Sequence, residues 1–312
     1  MNSRRRTFLG GMTVAVSGAW SVAKAGPVSL LSSNTVAAPD AVVPLPLLPA
    51  MPRSADPIAG PQPELPRWQR FAVAPPPTNG KPAICIVIDD LGVMHRGTER
   101  TVALPAPLTL SWFPFARRLN EQVAEAMAVG HENTLHMPMQ SFSNGIAQTG
   151  PDPLRIDLPP AENIARLRAA IAAVPNTVGL NNHMGSVATR DPALMDIVAA
   201  EARANGMLFL DSLVIGHSVA AQRAEAAGVP TASRDIFIDN TANAGMIREQ
   251  LDLIEKHARK YGHVIAIGHP RPLTLDALEA WMPTLAGKGF VLWPLSATVA
   301  WRNEIVMPQT LL

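Results

Sequence analysis

The chain contains one cysteine, Cys85, among its 312 residues. A single cysteine cannot form an intrachain disulfide or a multi-thiolate zinc site, so any metal ion must be bound by histidines and carboxylates. An excess of charge is also lacking, because 26 Lys and Arg residues are balanced by 25 Asp and Glu residues. We therefore expect no nucleic-acid partner. Apolar residues make up 47% of the sequence, which is sufficient for a full-sized core.

Long hydrophobic runs are missing as well. Residues 8–22 are mildly apolar and interrupted by glycines, and they are shorter than the about 20 apolar residues that a membrane-spanning helix needs. They follow Arg5 and Arg6 and precede an Ala-Lys-Ala sequence at 23–25, a pattern typical of a bacterial twin-arginine signal peptide. We predict a signal peptide at 1–25, a periplasmic or secreted protein, and no stable transmembrane span after cleavage. An uncleaved anchor is the alternative.

Residues 26–82 contain 14 of the 30 prolines and show no helical or alternating periodicity. Proline fixes φ and removes a backbone donor, so this composition predicts a proline-rich, disordered linker that acts as a spacer. The composition changes at residue 83. Residues 83–312 have the size of a single α/β domain.

Short β-branched runs alternate with helical patterns throughout 83–312. The first run, 83–88, is continuously apolar, as expected of a strand that is buried on both faces of a parallel sheet. Similar runs occur at 108–112, 134–136, 177–180, 207–210, 236–238, 264–267 and 290–292. This alternation predicts parallel strands joined by helical crossovers, in a closed or nearly closed barrel.

Polar side chains follow these runs at the positions where chemistry gathers in such folds. Adjacent carboxylates at the end of a buried strand repel each other, so the pair that follows the first run indicates a bound cation or a shared proton. The set suggests metal-assisted hydrolysis, in which a carboxylate and imidazoles bind a divalent ion and a second carboxylate takes a proton from water. The residues that follow the strands are Asp89, Asp90, His136, Asn181, Asn182, His183, Asp211, Asp239 and His269.

Two other hydrolase classes are disfavoured. His131 and His136 are five residues apart instead of the four of a zincin helix, and Pro138 follows closely. No Gly-x-Ser-x-Gly motif is present, which argues against a serine hydrolase.

Six motifs together resemble the divergent polysaccharide deacetylase family. They are Ile-Asp-Asp-Leu-Gly (88–92), Gly-His-Glu (130–132), His-Met-Pro-Met (136–139), Gly-Leu-Asn-Asn-His-Met-Gly-Ser (179–186), Leu-Asp-Ser (210–212) and Gly-His-Pro (268–270). The family is similar to larger carbohydrate deacetylases, which have a deformed (β/α) barrel and a divalent metal, usually zinc. The resemblance therefore implies a metal-dependent hydrolase that removes acetyl groups from a polysaccharide or a peptidoglycan-like glycan, and the predicted signal peptide makes it an exported one.

The resemblance also implies roles for individual residues. Asp89 is similar to the general base, and His269 to the acid that protonates the leaving amine. Asp90 and His136 are similar to metal ligands, and His183 is the candidate for a third. We assign contacts with substrate, or support of these residues, to Gln140, Asn182, Asp211 and Arg234. A surface ion pair is an alternative role for Arg234.

One position departs from the family pattern. The divergent family has a Glu four residues after the histidine of its His-Met-Pro motif, whereas this chain has Gln140. An amide is a poor zinc ligand and cannot act as a base, so we expect weaker metal binding or a role for Gln140 in substrate contact alone. The alternative function is a catalytically weak or inactive glycan-binding or envelope-organising protein on the same fold.

Overall fold

The computed structural model describes residues 64–142 and 149–308, and the predicted signal peptide and residues 26–63 of the predicted linker lie outside them. The described strands are β1 (Ala83–Leu91), β2 (Thr109–Trp112), β3 (Glu132–Met139), β4 (Gly179–Met184), β5 (Leu208–Asp211), β6 (Thr231–Ser233), β7 (Ile236–Phe237), β8 (His263–Gly268) and β9 (Val291–Leu292). Their positions match the apolar runs, and β6 is a strand that the runs did not predict.

Helices separate most of these strands. In the described residues they are α1 (Arg67–Arg70), α2 (His95–Val102), α3 (Leu119–Ala128), α4 (Pro160–Ala173), α5 (Pro192–Ala204), α6 (Ala220–Ala226), α7 (Ala244–Tyr261), α8 (Pro272–Trp281) and α9 (Leu295–Arg302). Polar caps start two of the longer ones, where the Asp191 carboxylate accepts from Leu194 N and the Asn243 amide oxygen accepts from Gly245 N. None of the described helices is long and apolar enough to cross a bilayer.

The described strands form one curled parallel sheet in the order β6-β5-β4-β3-β2-β1-β8-β7, and β9 pairs with β1. Every strand pair is parallel, and helices connect neighbouring strands, as the alternating pattern predicted. The sheet order begins at β6 and ends at β7, so the barrel is open between these two strands. The prediction of a deformed (β/α) barrel is confirmed.

The two faces of the sheet bury different sets of side chains. On β1, Ile84 and Ile86 belong to the large cluster that includes the surrounding helices. Cys85 and Val87 belong to a second cluster, which also contains residues of β5, β8 and α9 and lies on the inner face. Strand side chains alternate between faces, so this pattern predicts which residues at each strand end point into the barrel.

The domain begins earlier than the composition indicated. The Trp68 side chain is 4% exposed and belongs to the inner cluster, and the backbone N–H of Trp68 donates to Gly206 O at 2.8 Å. The Arg67 guanidinium donates to the carbonyl oxygens of Thr177 and Val174, at 3.0 and 3.1 Å. The linker prediction is therefore corrected for residues 64–82. The buried tryptophan and the Arg67 hydrogen bonds dock a proline-rich segment whose regular structure is limited to α1.

Candidate active site

The first strand places two carboxylates at the same edge of the sheet. Asp89 continues the inner face that Cys85 and Val87 form, and simple alternation would turn Asp90 to the outer face. The pairing register with β2 shifts within residues 88–91, and Asp90 has a φ of 60°. Aspartate adopts this left-handed backbone conformation more readily than most residues. The local bulge brings both carboxylates to one cavity.

Asp90, His136 and His183 form a compact triangle of ligand atoms. Asp90 Oδ1 lies 3.1 Å from His136 Nε2 and 3.1 Å from His183 Nδ1, and the two nitrogens are 3.1 Å apart. The corners of such a triangle lie about 1.8 Å from its centre. Asp90, His136 and His183 would therefore be close enough together to hold one ion at the distance of about 2.0–2.2 Å that is typical of zinc–nitrogen and zinc–oxygen bonds. The donor set fits a divalent ion of the zinc type.

The electrostatics of the triangle agree with this fit. In the described part of the chain, Asp90 Oδ1 is buried and makes no hydrogen bond of acceptable angle. Burial alone would raise the pKa of Asp90. The opposite effect of His136 and His183 is larger, so the net shift of the pKa is downward and the carboxylate is ionised. Burial likewise lowers the pKa of His136, and the neighbouring Asp89 and Asp90 carboxylates more than reverse that effect. A buried, ionised oxygen without a well-aligned donor is the arrangement that a cation stabilises.

Asp89 lies beside the triangle rather than in it. Asp89 Oδ1 accepts a hydrogen bond from Asn181 Nδ2 at 2.8 Å and lies 3.8 Å from His136 Nδ1. The residue is 2% exposed, yet it lines the cavity that the triangle faces. This position suits a base that acts next to an ion without binding it.

A histidine–aspartate pair lies next to Asp90, and its histidine lines the same cavity. His269 Nδ1 lies 2.8 Å from Asp239 Oδ1, and His269 Nε2 lies 3.9 Å from Asp90 Oδ2. Asp239 Oδ2 accepts from His269 N at 2.9 Å and from Thr274 Oγ1 at 2.7 Å. Burial alone would raise the pKa of Asp239. The opposite effect of the hydrogen bond from His269 is larger, so the net shift of the pKa is downward and the aspartate is ionised. Asp239 thus orients the ring, because it bonds to Nδ1 and leaves Nε2 directed to the site.

Three of the predicted supporting residues do not face the triangle. The Gln140 side-chain oxygen accepts from Ile156 N at 2.9 Å, and Gln140 is not among the described residues that line the cavity. Asp211 accepts from Leu213 N and Ser218 Oγ, at 2.8 and 2.6 Å, and likewise does not line it. Gln140 follows the end of β3, and Asp211 is turned to the outer face because Leu210 faces inward.

Asn182 is the third of these residues, and it supports the loops around the site. Its Nδ2 donates to Met184 O at 2.7 Å, and its Oδ1 accepts from Ser212 N at 2.9 Å. It touches the cavity wall, but its amide is used by backbone groups. Asn182 therefore fixes the segment on either side of His183 instead of offering its amide to a ligand.

The cavity has a volume of about 640 Å³ and is lined by both polar and apolar side chains. Arg234 lines it and donates to Ser212 O at 2.7 Å and Leu213 O at 2.8 Å, with its guanidinium 4.7 Å from the centre of the Phe237 ring. Burial lowers the pKa of Arg234, while Asp89 acts in the opposite direction. Phe142, at 60% exposed, adds an open apolar surface. Such walls suit a ligand with both polar groups and C–H faces.

The motifs did not assign roles to three residues of the site. Phe113 packs its ring 5.2 Å from His136 and 4.7 Å from His183, and so limits the rotation of both imidazoles. Asn181 and Asp239 appeared among the strand-end residues without a role. Strand periodicity could have found Asn181, since it lies two residues before His183 on the same face.

The fold and the site define a class: parallel α/β barrels with an Asp-His-His site of the metal-binding type at the carboxyl ends of the strands. Comparisons with known proteins agree with this class. A sequence profile described as "divergent polysaccharide deacetylase" matches residues 86–299. The chain belongs to the divergent polysaccharide deacetylase family.

Individual relatives extend the comparison. The chain is similar to an uncharacterized protein of Haemophilus influenzae, with 34% identity over 225 residues, which cover 72% of this chain and 79% of the relative. It is also 33% identical over 209 residues to the uncharacterized protein YibQ of Escherichia coli, which covers 67% of this chain and 64% of YibQ. A crystal structure of an uncharacterized Agrobacterium tumefaciens protein superposes with a TM-score of 0.71 at 25% identity, over 75% of this chain and 99% of that one.

Proposed function

We propose that this protein is a zinc-dependent deacetylase that hydrolyses acetyl groups on a glycan of the cell envelope or outside the cell. One observation carries the proposal. The three atoms Asp90 Oδ1, His136 Nε2 and His183 Nδ1 lie 3.1 Å from one another, between a buried carboxylate and a histidine–aspartate pair. This arrangement matches the needs of metal-assisted hydrolysis.

The residues divide the work of hydrolysis. Zinc, when bound, supplies a Lewis acid and lowers the pKa of water to about 7. Asp89 takes the proton from the attacking water, because its carboxylate borders the cavity next to the triangle. His269 Nε2 donates a proton to the departing amine or alcohol, and Asp239 stabilises the charged ring while it carries that proton. The products are acetate and the free amine or hydroxyl of the sugar.

The shape of the site supports a chain-like substrate. The cavity above the triangle continues into a second one of about 380 Å³, which shares Asp90, His183, His269 and Arg271 with it. A third, of about 670 Å³, adjoins the second through Val93 and Phe115. Adjacent cavities beyond the reactive centre offer more room than a single sugar requires. This supports a polysaccharide or peptidoglycan-like glycan over a monosaccharide.

The amide at Gln140 is the sequence feature that favours the non-catalytic alternative. The Gln140 side chain bonds to Ile156 N, and Asp90, His136 and His183 could hold an ion without it, which supports a metal site that the amide does not weaken. Metal binding does not distinguish the deacetylase from the non-catalytic glycan-binding protein, whereas acetate release does.

The experiment combines metal analysis with acetate release. The zinc content of the purified protein is measured, and acetate is assayed after incubation with a panel of N- and O-acetylated glycans. We expect stoichiometric zinc and acetate release from at least one glycan. Asp90→Ala should lose both, whereas Asp89→Asn should retain zinc and lose acetate release. Zinc binding that survives Asp90→Ala would refute the metal centre. Stoichiometric zinc without acetate release from any glycan of the panel would favour the non-catalytic alternative.

Export through the twin-arginine pathway is part of this proposal, and it rests on the sequence of residues 1–25. The translocase recognises the arginine pair, so the Arg5→Lys, Arg6→Lys double variant should remain in the cytoplasm. Cell fractionation with an antibody to the domain measures the distribution. Normal accumulation of the double variant outside the cytoplasm would contradict this route.

A further inference from the structure

A single buried amide connects the candidate base to a candidate metal ligand. Asn181 lies on β4, two residues before His183, and its register partner on β3 is His136. It is fully buried. Its position on the inner face puts its side chain below the triangle of ligand atoms, between Asp89 and His136.

All the hydrogen-bonding capacity of this amide is used. Asn181 Nδ2 donates to Asp89 Oδ1 at 2.8 Å and to Ser212 Oγ at 3.1 Å. Its Oδ1 accepts from Ser111 Oγ at 2.5 Å and lies 3.0 Å from His136 Nδ1. An amide has two N–H donors and two acceptor lone pairs, so four partners saturate it.

The chemistry of the four partners fixes the orientation of the amide. Asp89 is a carboxylate, and only the Nδ2 side of Asn181 can donate to it; a flipped amide would set two oxygens against each other. With Oδ1 on the other side, His136 Nδ1 must carry the proton that donates to Asn181. His136 Nε2 is then left with its lone pair directed at Asp90 and His183.

We propose that Asn181 is a positioning residue that holds the candidate base and selects the metal-binding tautomer of His136. The proposal rests on the proposed function for the base, but the effect on the ligand does not depend on catalysis. Hydrogen bonds to the second nitrogen of a metal-binding histidine fix its tautomer and orientation, and their loss weakens metal affinity by about 10- to 100-fold. Few side chains donate to a carboxylate and accept from an imidazole at the same time, and an amide of this length does both.

Two substitutions separate the two connections. Asn181→Asp keeps an acceptor for His136 Nδ1 but removes the donor to Asp89 and adds a like charge beside it. Asn181→Leu, of similar size, removes both connections. The control is Asn163→Asp, since Asn163 is also a buried amide but bonds to the backbone of Arg155, outside the site. Circular dichroism and melting curves establish that each variant is folded.

The measurements are zinc affinity by competition with a chelator, the visible spectrum of the cobalt-substituted protein, and kcat and KM on an acetylated glycan. We expect Asn181→Leu to bind zinc about 10- to 100-fold more weakly and to change the cobalt spectrum. Asn181→Asp should keep both close to the wild type while it lowers kcat about 10-fold or more with KM little changed. Asn163→Asp should resemble the wild type in all of them.

The outcomes distinguish this proposal from the proposed function. Wild-type zinc affinity in Asn181→Leu, or equal losses of affinity in the two Asn181 variants, would overturn the role on His136. Wild-type kcat in Asn181→Asp would overturn the role on Asp89. If the wild-type protein releases no acetate, the proposed function fails, and the zinc and cobalt measurements alone decide the inference on Asn181. If Asn181→Leu does not fold, a loss of zinc affinity in Asn181→Asp overturns the inference by itself.

Discussion

Replacement of Trp68 by alanine tests whether the segment before β1 is part of the domain. The indole is 4% exposed and belongs to the same buried cluster as Leu208 and Val299. The Arg67 side chain next to it makes three hydrogen bonds to Val174 and Thr177. If residues 64–82 were a spacer, neither residue would contribute to the stability of the barrel.

The magnitude follows from burial. A buried Trp→Ala substitution costs about 3–5 kcal/mol, because it removes the transfer free energy of the ring and leaves a cavity. A domain of this size loses about 2–4 °C in Tm for each kcal/mol. Trp68→Ala should therefore lower Tm by about 6–20 °C. The loss of stability is a large fraction of the unfolding free energy of a typical domain, which is about 5–15 kcal/mol.

Thermal melting and urea unfolding of the full chain measure the change. Leu65→Ala is the matched control, since Leu65 lies three residues earlier and is 40% exposed. Substitution at such a surface position changes stability by no more than about 0.5 kcal/mol. Equal Tm values for Trp68→Ala and Leu65→Ala would refute the docking of this segment, and would restore the interpretation of 64–82 as a linker.

Three further predictions concern single side chains. Burial raises the pKa of Glu132, so the native state binds a proton more tightly than the unfolded state, and the wild type should lose stability relative to Glu132→Gln as the pH rises through and above the ordinary Glu range. Urea unfolding of both proteins at pH 4 and 7 measures this, and a difference in unfolding free energy that does not change with pH would contradict it. Asp239→Asn should reduce acetate release about 100-fold or more, because the His269 ring loses its anionic partner, while zinc affinity stays unchanged; a parallel loss of zinc would place His269 on the metal instead. Gln140→Glu should leave zinc affinity unchanged in a chelator titration, because the side chain bonds to Ile156 N, and tighter binding would show that it turns to the site.

The sequence alone predicts the architecture of 83–312, because its evidence is local. A continuous apolar run such as 83–88 is only stable when both faces of the strand are covered, and helical patterns between such runs leave parallel pairing as the natural solution. The carboxyl ends of parallel strands meet at one edge, so Asp89, His136 and His269 could be assigned to one site before the structure was known. The motifs add the family, which the profile match confirms.

The tertiary structure alone decides how the side chains at this edge are used. Whether Asp90 joins Asp89 at the cavity depends on a bulge against β2, and a bulge is a property of two paired strands. Sequence separation cannot show that Gln140 bonds to Ile156, since that contact is made by a neighbouring segment.

Contacts between segments distant in sequence also determine how the amides of β4 are used and how the segment before β1 is bound to the domain. Asn181 and Asn182 are identical in type and adjacent in sequence. Strand periodicity separates their faces, but only the packed sheet shows that Asn181 bonds to Asp89 and that Asn182 bonds to the backbone of the loops. Proline content correctly indicates that 64–82 has little regular structure, but not that Trp68 is buried. Local composition determines which conformations a segment can adopt, while contacts between segments distant in sequence determine the partner of each side chain.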